Sequence, residues 1–216
     1  MIRLIVFDLD GTLVDSQRDL ANAANALVTE LGGQPLLEAT VATMVGEGAA
    51  VLVRRVLSAA QLDPATPDAL PRFLELYDQR LVEHTIPYEG VVGMLETVGD
   101  RMPLAVLTNK PQRATDRLLD TLGLSRYFRL VIGGDTQHGR KPNPEGLLRI
   151  CADLEVPATH TVLVGDSPID LQTAHNAGTK VLLVSFGFGF RFAADELTAV
   201  PVVATPTGIA QYIFQV

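Results

Sequence analysis

The sequence has one cysteine and few basic residues, and each scarcity excludes a class of protein. One cysteine cannot form an internal disulfide, which is typical of a reducing compartment, so we expect a cytoplasmic protein. Lysine and arginine number 17 against 25 aspartates and glutamates, for a formal net charge of −8. A chain of this sign carries no electrostatic footprint for nucleic acid, so we expect no nucleic-acid partner.

Long hydrophobic runs are also missing. No apolar run reaches the roughly 20 residues that a membrane-spanning helix needs. The chain starts in an apolar strand-like segment, without the basic stretch and cleavage site of a signal peptide. We therefore expect no membrane partner. The 216 residues are 47% hydrophobic, which suffices for one large domain or for a domain with a modest insertion.

What the sequence does contain is a pair of carboxylates directly after its first apolar run. Residues 4–7 (Leu-Ile-Val-Phe) are typical of a strand buried on both faces of a parallel sheet. Asp8 and Asp10 follow it and can point the same way before Gly11 breaks the strand. Two like charges so close favour a neutralising cation. An Asp-Gly pair is also ordinary turn chemistry, so the rest of the chain has to decide between a turn and a site.

The pattern along the chain separates a helical segment from an alternating one. Helical spacing is found after Ser16, where Asp19 would complete a capping-box variant, and again over 48–60 and 67–85. Apolar runs predict further strands over 104–107, 130–132, 161–164 and 181–184, with helices predicted over 111–122, 144–153 and 169–177. Strands that alternate with helices indicate βαβ units, so the pattern predicts an α/β fold with a parallel sheet and an all-helical insertion.

Polar residues directly follow the later strands as well. Thr108 and Asn109 end the second strand, Lys141 lies in the loop after the third, and Asp166 and Asp170 follow the fourth. Taken singly, these are a strand end, a solvated loop charge and two helix-capping acids. Because the carboxyl ends of parallel strands meet at one edge of the sheet, we expect them in one crevice together with the first carboxylate pair.

With these four motifs in this order, the chain resembles the haloacid dehalogenase superfamily. The resemblance implies a Rossmann-like core over residues 1–15 and 87–216, with strand one central and helices on both faces of a parallel sheet. It also implies an all-helical cap over 16–86, inserted after the first motif and controlling substrate specificity. Within the superfamily, Val45–Ala49 and the Leu-Val-Arg-Arg segment at 52–55 are similar to bacterial phosphoglycolate phosphatases.

The resemblance implies a role for each motif in the hydrolysis of a phosphate ester. Asp8 would attack phosphorus to form an aspartyl-phosphate. Asp10 would protonate the leaving alkoxide and later activate water. The Thr108 hydroxyl and the Asn109 backbone N–H would hold phosphoryl oxygens, and Lys141 would offset the crowded negative charge.

The same resemblance implies a magnesium ion as cofactor. Its protein ligands would be Asp8, Asp166 and the backbone carbonyl of Asp10, because Mg²⁺ prefers oxygen donors. Asp170 and Thr12 would not bind the ion directly but would orient its ligands and Lys141.

The expected substrate is a small phosphorylated metabolite, with 2-phosphoglycolate as the first candidate. Gly46 and Gly48 interrupt the cap's helical pattern, so we expect them in a substrate-binding turn aimed at the crevice. A sugar phosphomutase resembling β-phosphoglucomutase would use the same aspartyl-phosphate and stays open as an alternative. A metal-free dehalogenase and a non-catalytic binding protein on the same fold are further alternatives. The chain could act as a monomer or a homodimer.

Overall fold

The computed structural model describes residues 1–193 and 195–215. In chain order its elements are β1 (Leu4–Phe7), β2 (Val14–Asp15), α1 (Gln17–Glu30), α2 (Glu38–Ala42), α3 (Ala49–Ala59), α4 (Ala69–Arg80), β3 (Ile86–Pro87), α5 (Val91–Gly99), β4 (Leu104–Leu107), α6 (Gln112–Thr121), β5 (Leu130–Ile132), α7 (Glu145–Asp153), β6 (Thr161–Gly165), α8 (Pro168–Ala177), β7 (Lys180–Val184), β8 (Val202–Val203) and α9 (Pro206–Gln215).

The main sheet is parallel and has β1 near its centre. Its strand order is β5-β4-β1-β6-β7-β8, and every neighbouring pair runs parallel. Ile5 and Phe7 enter one buried cluster, whereas Leu4 and Val6 enter the cluster on the other face. Because side chains alternate along a strand, an unbroken apolar run fills both layers. The α/β prediction is confirmed.

Helices cover both faces of this sheet. Residues of α5, α6 and α9 belong to the same cluster as Phe7, and residues of α7 and α8 belong to the cluster of Val6. Cys151 of α7 is buried in the second cluster, as its apolar surroundings in the sequence indicate. Among the described residues, no helix combines the length and apolarity needed to cross a bilayer.

Helices α1 to α4 lie between the short strands β2 and β3, which pair antiparallel with each other. We use "cap" for residues 16–86, the segment proposed above. The paired strands bring its two ends together, and Asp19 near the start of α1 fixes this junction. Its buried carboxylate accepts hydrogen bonds from the backbone N–H groups of His84 and Thr85 and from the Thr85 hydroxyl. The chain therefore enters and leaves the cap through one short strand pair, and Asp19 holds the two ends of the cap together.

The predicted capping box at the start of α1 is wrong. Ser16 makes no side-chain cap on this helix, and its Oγ instead donates to Asp10 Oδ1 at 2.6 Å. Asp19 is also turned away from the helix terminus, towards residues 84 and 85. Both side chains form hydrogen bonds with residues outside the helix, and for Asp19 these residues are far away in the sequence. A local sequence pattern does not predict such contacts.

Several element boundaries also differ from the sequence prediction. The helix predicted over 67–85 ends at Arg80, because the following residues turn towards the junction with Asp19. The sequence pattern does not predict the helices α2, α5 and α9 or the short strands β2, β3 and β8. The apolar side chains of α5 and α9 pack against the sheet in the cluster of Phe7.

Candidate active site

The side chains of all four sequence motifs lie at the carboxyl edge of the sheet. Asp8 follows β1, Thr108 follows β4, Lys141 lies in the loop after β5, and Asp166 follows β6. All four are buried. Since β1, β4, β5 and β6 are parallel neighbours, their ends converge on the same edge, as the sequence analysis expects.

Lys141 is held between two carboxylates. Its Nζ lies 2.8 Å from Asp8 Oδ1 and 2.6 Å from Asp170 Oδ1, and its side chain is only 2% exposed. Burial disfavours the ammonium, but the nearby Asp170 and Asp8 charges outweigh burial and raise the pKa of Lys141. Asp170 also completes a capping box with Ser167 at the start of α8, so it caps a helix and orients Lys141 at once.

Asp166 adds a third carboxylate beside these two. One oxygen each of Asp8, Asp166 and Asp170 lies within 4.8 Å of the others. Burial is the main cause that raises the pKa of Asp8 to about 7, with Asp170 adding to the rise and Lys141 opposing it. Burial, followed by the charges of Asp170 and Asp8, raises the pKa of Asp166 well above its usual range. One ammonium does not neutralise three acids, and an all-oxygen donor set fits a hard divalent cation.

Asp166 is enclosed by backbone that only glycine permits. A Cβ at Gly11 would lie 2.1 Å from Asp166 Oδ2, and a Cβ at Gly187 would lie 2.3 Å from the same atom. The Gly189 N–H donates to Asp166 Oδ2 at 2.7 Å, and the Thr12 hydroxyl donates to Oδ1 at 3.5 Å. The loop 187–189 is a site element that the sequence analysis missed. Its signal in the sequence is the pair of glycines, Gly187 and Gly189, that follows β7.

Asp10 is turned away from the three-carboxylate cluster. Its Oδ1 accepts from Ser16 Oγ at 2.6 Å, and Lys110 Nζ lies 2.8 and 3.0 Å from its two oxygens. The two carboxylates of the first motif therefore have separate surroundings. The Asp8 carboxylate lies among the potential metal ligands, whereas the Asp10 carboxylate is not part of that cluster. Its expected metal contact uses the backbone carbonyl and does not compete with this arrangement.

Asn109 connects the core to the cap loop that contains Gly46. Its Nδ2 donates to the backbone carbonyls of Gly46 at 2.9 Å and Lys141 at 3.0 Å. Gly48 has a φ of 88°, and a Cβ there would lie 3.3 Å from the Asn109 carbonyl oxygen and 2.9 Å from Arg140 Nη1. Both glycines thus lie where the cap loop meets the crevice, which is the location that the sequence analysis expects.

A cavity lies between these core groups and the cap. Its core side presents Asp8, Asp10 and Thr108. Its cap side is mainly apolar and is formed by Leu20, Val45, Ala49, Leu52, Phe73, Leu74 and Tyr77.

Lys110 and Tyr77 also line this cavity, and the sequence analysis missed both. The buried Lys110 ammonium donates to the Tyr77 hydroxyl at 2.6 Å, across the boundary between core and cap. Burial is the main cause that raises the pKa of Tyr77 to about 12, so this hydroxyl stays protonated at neutral pH. The position of Lys110 next to Thr108 and Asn109 was the available signal for its role. Nothing in the helical spacing distinguishes Tyr77 from a core residue.

Comparison with known proteins identifies the family. The family model described as haloacid dehalogenase-like hydrolase matches residues 5–184. The chain is 42% identical over 195 residues to a phosphoglycolate phosphatase of Pseudomonas syringae pv. tomato, an alignment that covers 86% of this chain and 70% of the relative. It is 39% identical over 220 residues to a plasmid-encoded phosphoglycolate phosphatase of Cupriavidus necator, covering 95% and 94% of the two chains.

Solved structures agree with the sequence relatives. A crystal structure of a predicted phosphoglycolate phosphatase from Haemophilus somnus superposes with a TM-score of 0.89 at 28% identity, covering 98% of this chain and 97% of the other. The chain belongs to the haloacid dehalogenase-like hydrolase family. The expectation of a phosphatase-type hydrolase is confirmed at the level of enzyme class, which argues against the non-catalytic alternative.

Proposed function

We propose that the protein hydrolyses 2-phosphoglycolate to glycolate and inorganic phosphate, through an aspartyl-phosphate on Asp8 and with Mg²⁺ as cofactor. The observation that carries the proposal is the separation of the two carboxylates of the first motif. Asp8 lies 2.8 Å from the Lys141 ammonium beside the other potential metal ligands, whereas Asp10 lines the same cavity but is held by Lys110 and Ser16. One carboxylate is thus available as nucleophile and the other for proton transfer.

In the first half-reaction an Asp8 oxygen forms a bond to phosphorus while the bond to the ester oxygen breaks. Asp10 lines the cavity next to Asp8 and receives a proton as the ester binds, and the leaving alkoxide takes this proton from it. Lys141 stabilises the negative charge on the transferring phosphoryl group. The Thr108 hydroxyl and the Asn109 backbone N–H, at the end of β4, act as further donors to its oxygens.

In the second half-reaction water cleaves the aspartyl-phosphate. Asp10, now a carboxylate, takes a proton from this water, whose oxygen attacks phosphorus and releases inorganic phosphate. Asp8 is thereby regenerated as a carboxylate. The same residue serves as acid and then as base, so the protein returns to its starting protonation state after each turnover.

Mg²⁺ would be held by Asp8, Asp166 and the backbone carbonyl of Asp10. When bound, the ion supplies positive charge that offsets the repulsion between the nucleophile and the phosphate oxygens. The residues fit this ion because Asp8, Asp166 and Asp170 form a buried, all-oxygen cluster with only one ammonium among them. Asp170 keeps Lys141 in place, and the Thr12 hydroxyl orients Asp166.

A small substrate is supported by the cavity under the cap and by the names of the relatives. Cap residues such as Phe73 and Leu52 close the side opposite Asp8 with apolar surface. Such a cover leaves room for a compact leaving group and excludes water from the reacting atoms. Two bacterial relatives that are about 40% identical to the chain are named phosphoglycolate phosphatases.

The test is a set of phosphate esters assayed with Mg²⁺: 2-phosphoglycolate, glycerol 3-phosphate, β-glucose 1-phosphate and p-nitrophenyl phosphate. We expect the highest kcat/KM for 2-phosphoglycolate, with glycolate and inorganic phosphate formed in equal amounts. Conversion of β-glucose 1-phosphate to glucose 6-phosphate without phosphate release would contradict the proposal and favour a phosphomutase. A higher kcat/KM for any other ester would contradict the substrate but not the chemistry.

A further inference from the structure

Two buried lysines lie at this site, and they have different surroundings. Lys141 is placed between two carboxylates, those of Asp8 and Asp170. Lys110 has one carboxylate partner, Asp10, and its remaining hydrogen bond goes to the neutral hydroxyl of Tyr77. The Lys110 side chain is 3% exposed. The group around Lys141 therefore has an excess of negative charge, whereas the pair that includes Lys110 does not.

Lys110 also lines the cavity beside Asp10, the residue proposed to protonate the leaving group. Among the described residues that line the cavity, it is the one with a positive charge. Opposite it lie apolar cap side chains, including Leu74 and Phe73, which offer nothing to a charged substituent. An anionic group that enters this space loses its hydration and needs a cation in hydrogen-bond contact. Lys110 can supply that contact by exchanging the Tyr77 hydroxyl for the incoming anion.

The distances fit a substituent close to the ester oxygen. Asp10 must reach that oxygen to protonate it, and Lys110 Nζ lies 2.8 Å from Asp10 Oδ1. In 2-phosphoglycolate a single methylene separates the ester oxygen from the carboxylate carbon, a span of roughly 2.5 Å from standard bond lengths. A carboxylate at that place in the leaving group is therefore within reach of the ammonium that already contacts the acid.

We propose that Lys110 is the receptor for an anionic substituent of the leaving group, so that the site selects phosphate esters with a carboxylate one carbon from the ester oxygen. This rests on the proposed phosphatase function and deepens it. Tyr77 holds the ammonium in place from the cap in the absence of substrate. The cap thereby takes part in forming the receptor, although the receptor charge comes from the core.

The experiment separates binding from turnover by using Asp8→Asn as the background, because this variant should bind esters without hydrolysing them. Calorimetry with Mg²⁺ gives Kd for 2-phosphoglycolate and for ethyl phosphate, which has a methyl group in place of the carboxylate. We expect the background protein to bind 2-phosphoglycolate at least tenfold more tightly. Adding Lys110→Gln, which keeps a donor for Asp10 but removes the charge, should reduce this preference at least tenfold, or about 1.4 kcal/mol. Lys110→Arg should retain most of it.

The matched control for net charge is Arg113→Gln. Arg113 lies on α6 near the site but its side chain is 88% exposed, so its removal should leave the ratio of the two Kd values unchanged. Because both ligands carry the same phosphate, a general loss of phosphate affinity cancels in the ratio. Lys110→Met is the second variant if Lys110→Gln does not fold, and circular dichroism checks both.

The possible results distinguish the Lys110 receptor from the proposed phosphatase function. Equal weakening of both ligands by Lys110→Gln would overturn the receptor and leave Lys110 as a partner of Asp10 alone. No preference for 2-phosphoglycolate in the background protein would overturn it too, while phosphatase activity could still stand. If wild type hydrolyses another carboxylated ester best, the proposed substrate fails but the receptor is supported. If wild type hydrolyses no ester, the proposed function fails and the Kd ratio still tests Lys110.

Discussion

The core side and the cap side of the cavity are built from opposite kinds of residue. The core side has charged groups at the ends of paired strands: Asp8, Asp166 and Lys141 are buried there, and the Lys141 ammonium contacts Asp8. The cap side is mainly apolar and rests on helices that reach the core through the short β2–β3 pair. Reacting groups need fixed positions, and a parallel sheet provides them. A cover that the chain enters and leaves through one short strand pair is better suited to admit and enclose a substrate.

This comparison predicts that changes on the core side affect whether the reaction occurs, whereas changes on the cap side affect which substrate is used. Lys110 and Tyr77 connect the two sides. They lie at the boundary and are bonded to each other at 2.6 Å. The variants below test the division, starting from the largest expected effect.

Asp8→Asn should have the largest effect, because an amide cannot form the phosphoenzyme. We expect turnover of every phosphate ester to fall by at least about 10⁴-fold, as in other enzymes that lose a nucleophile. Phosphate release by purified protein measures the loss, and circular dichroism checks the fold. Near-normal phosphate release would show that Asp8 is not the nucleophile and would contradict the division between core and cap.

The same variant has a predicted effect on stability without metal. Burial raises the pKa of the Asp8 carboxyl from 3.8 to about 7, so ionised Asp8 is less favourable in the folded protein than in the unfolded chain. Wild type should therefore lose stability as the pH rises from about 4 towards 7, and Asp8→Asn should lose less. Thermal unfolding in EDTA should give the variant an equal or higher Tm above neutral pH. A lower Tm there would mean that the contact with Lys141 outweighs burial.

Removal of the metal should also abolish the turnover of all substrates, because the metal would bind among residues of the core side. We expect excess EDTA to stop phosphate release and Mg²⁺ or Mn²⁺ to restore it. Ca²⁺ should bind but support little turnover, because its larger and looser coordination shell misplaces the nucleophile. A shift in Tm on metal addition reports binding independently of activity. Full activity in EDTA would instead indicate metal-free chemistry of the dehalogenase type.

Gly48→Leu should have an intermediate effect that depends on the substrate. A Cβ here meets Arg140 and the Asn109 carbonyl, and the φ of 88° is strained for a residue with a side chain. We expect kcat/KM for 2-phosphoglycolate to fall about tenfold or more, because closure and positioning are lost. Hydrolysis of p-nitrophenyl phosphate should fall less, because that ester draws little binding energy from the cap.

The matched control for Gly48→Leu is Gly123→Leu. Gly123 also has a positive φ, of 66°, but no atom lies within 4 Å of a Cβ built there. It places a leucine at a positive φ without a contact, and it should leave the ratio of the two substrates unchanged. An equal loss for both substrates in Gly48→Leu would mean that this loop is part of the catalytic machinery, which would break the division between core and cap.

Asp19→Asn should have the smallest effect on turnover and a clear effect on stability. Burial works against the Asp19 carboxylate, but the hydrogen bonds from His84 and Thr85 outweigh it and lower the pKa of Asp19. An acid with a lowered pKa stabilises the fold above its unfolded pKa, and this contribution disappears as the pH falls through the folded value. We expect the variant to be about 2 kcal/mol less stable in urea at neutral pH.

The difference in the free energy of unfolding between wild type and Asp19→Asn should become smaller at acidic pH. Glu83→Gln is the control, because Glu83 lies next to the same junction but is exposed, and it should leave the free energy of unfolding nearly unchanged. A constant gap across the pH range would mean that the variant loses packing and not charge.

Much of the fold and part of the site could be predicted from the sequence because the relevant signals are local. The apolar run 4–7 and its later counterparts have the composition of buried parallel strands, and the polar residues after them follow from strand geometry. The role of Ser16 could not be predicted in this way. A serine before a helix normally caps it, and only the position of Asp10 in three dimensions redirects the hydroxyl.

The sequence by itself determined the order of strands and helices and the residues at the strand ends, since periodicity and spacing act over a few neighbouring positions. Tertiary structure alone decided the pairing of charges. Lys110 and Tyr77 are 33 positions apart and Lys141 and Asp170 are 29 apart, so their contacts depend on how cap, sheet and loops pack. Burial then sets how much these charge pairs matter, because the free-energy cost of an unpaired ion rises as solvent is excluded from around it.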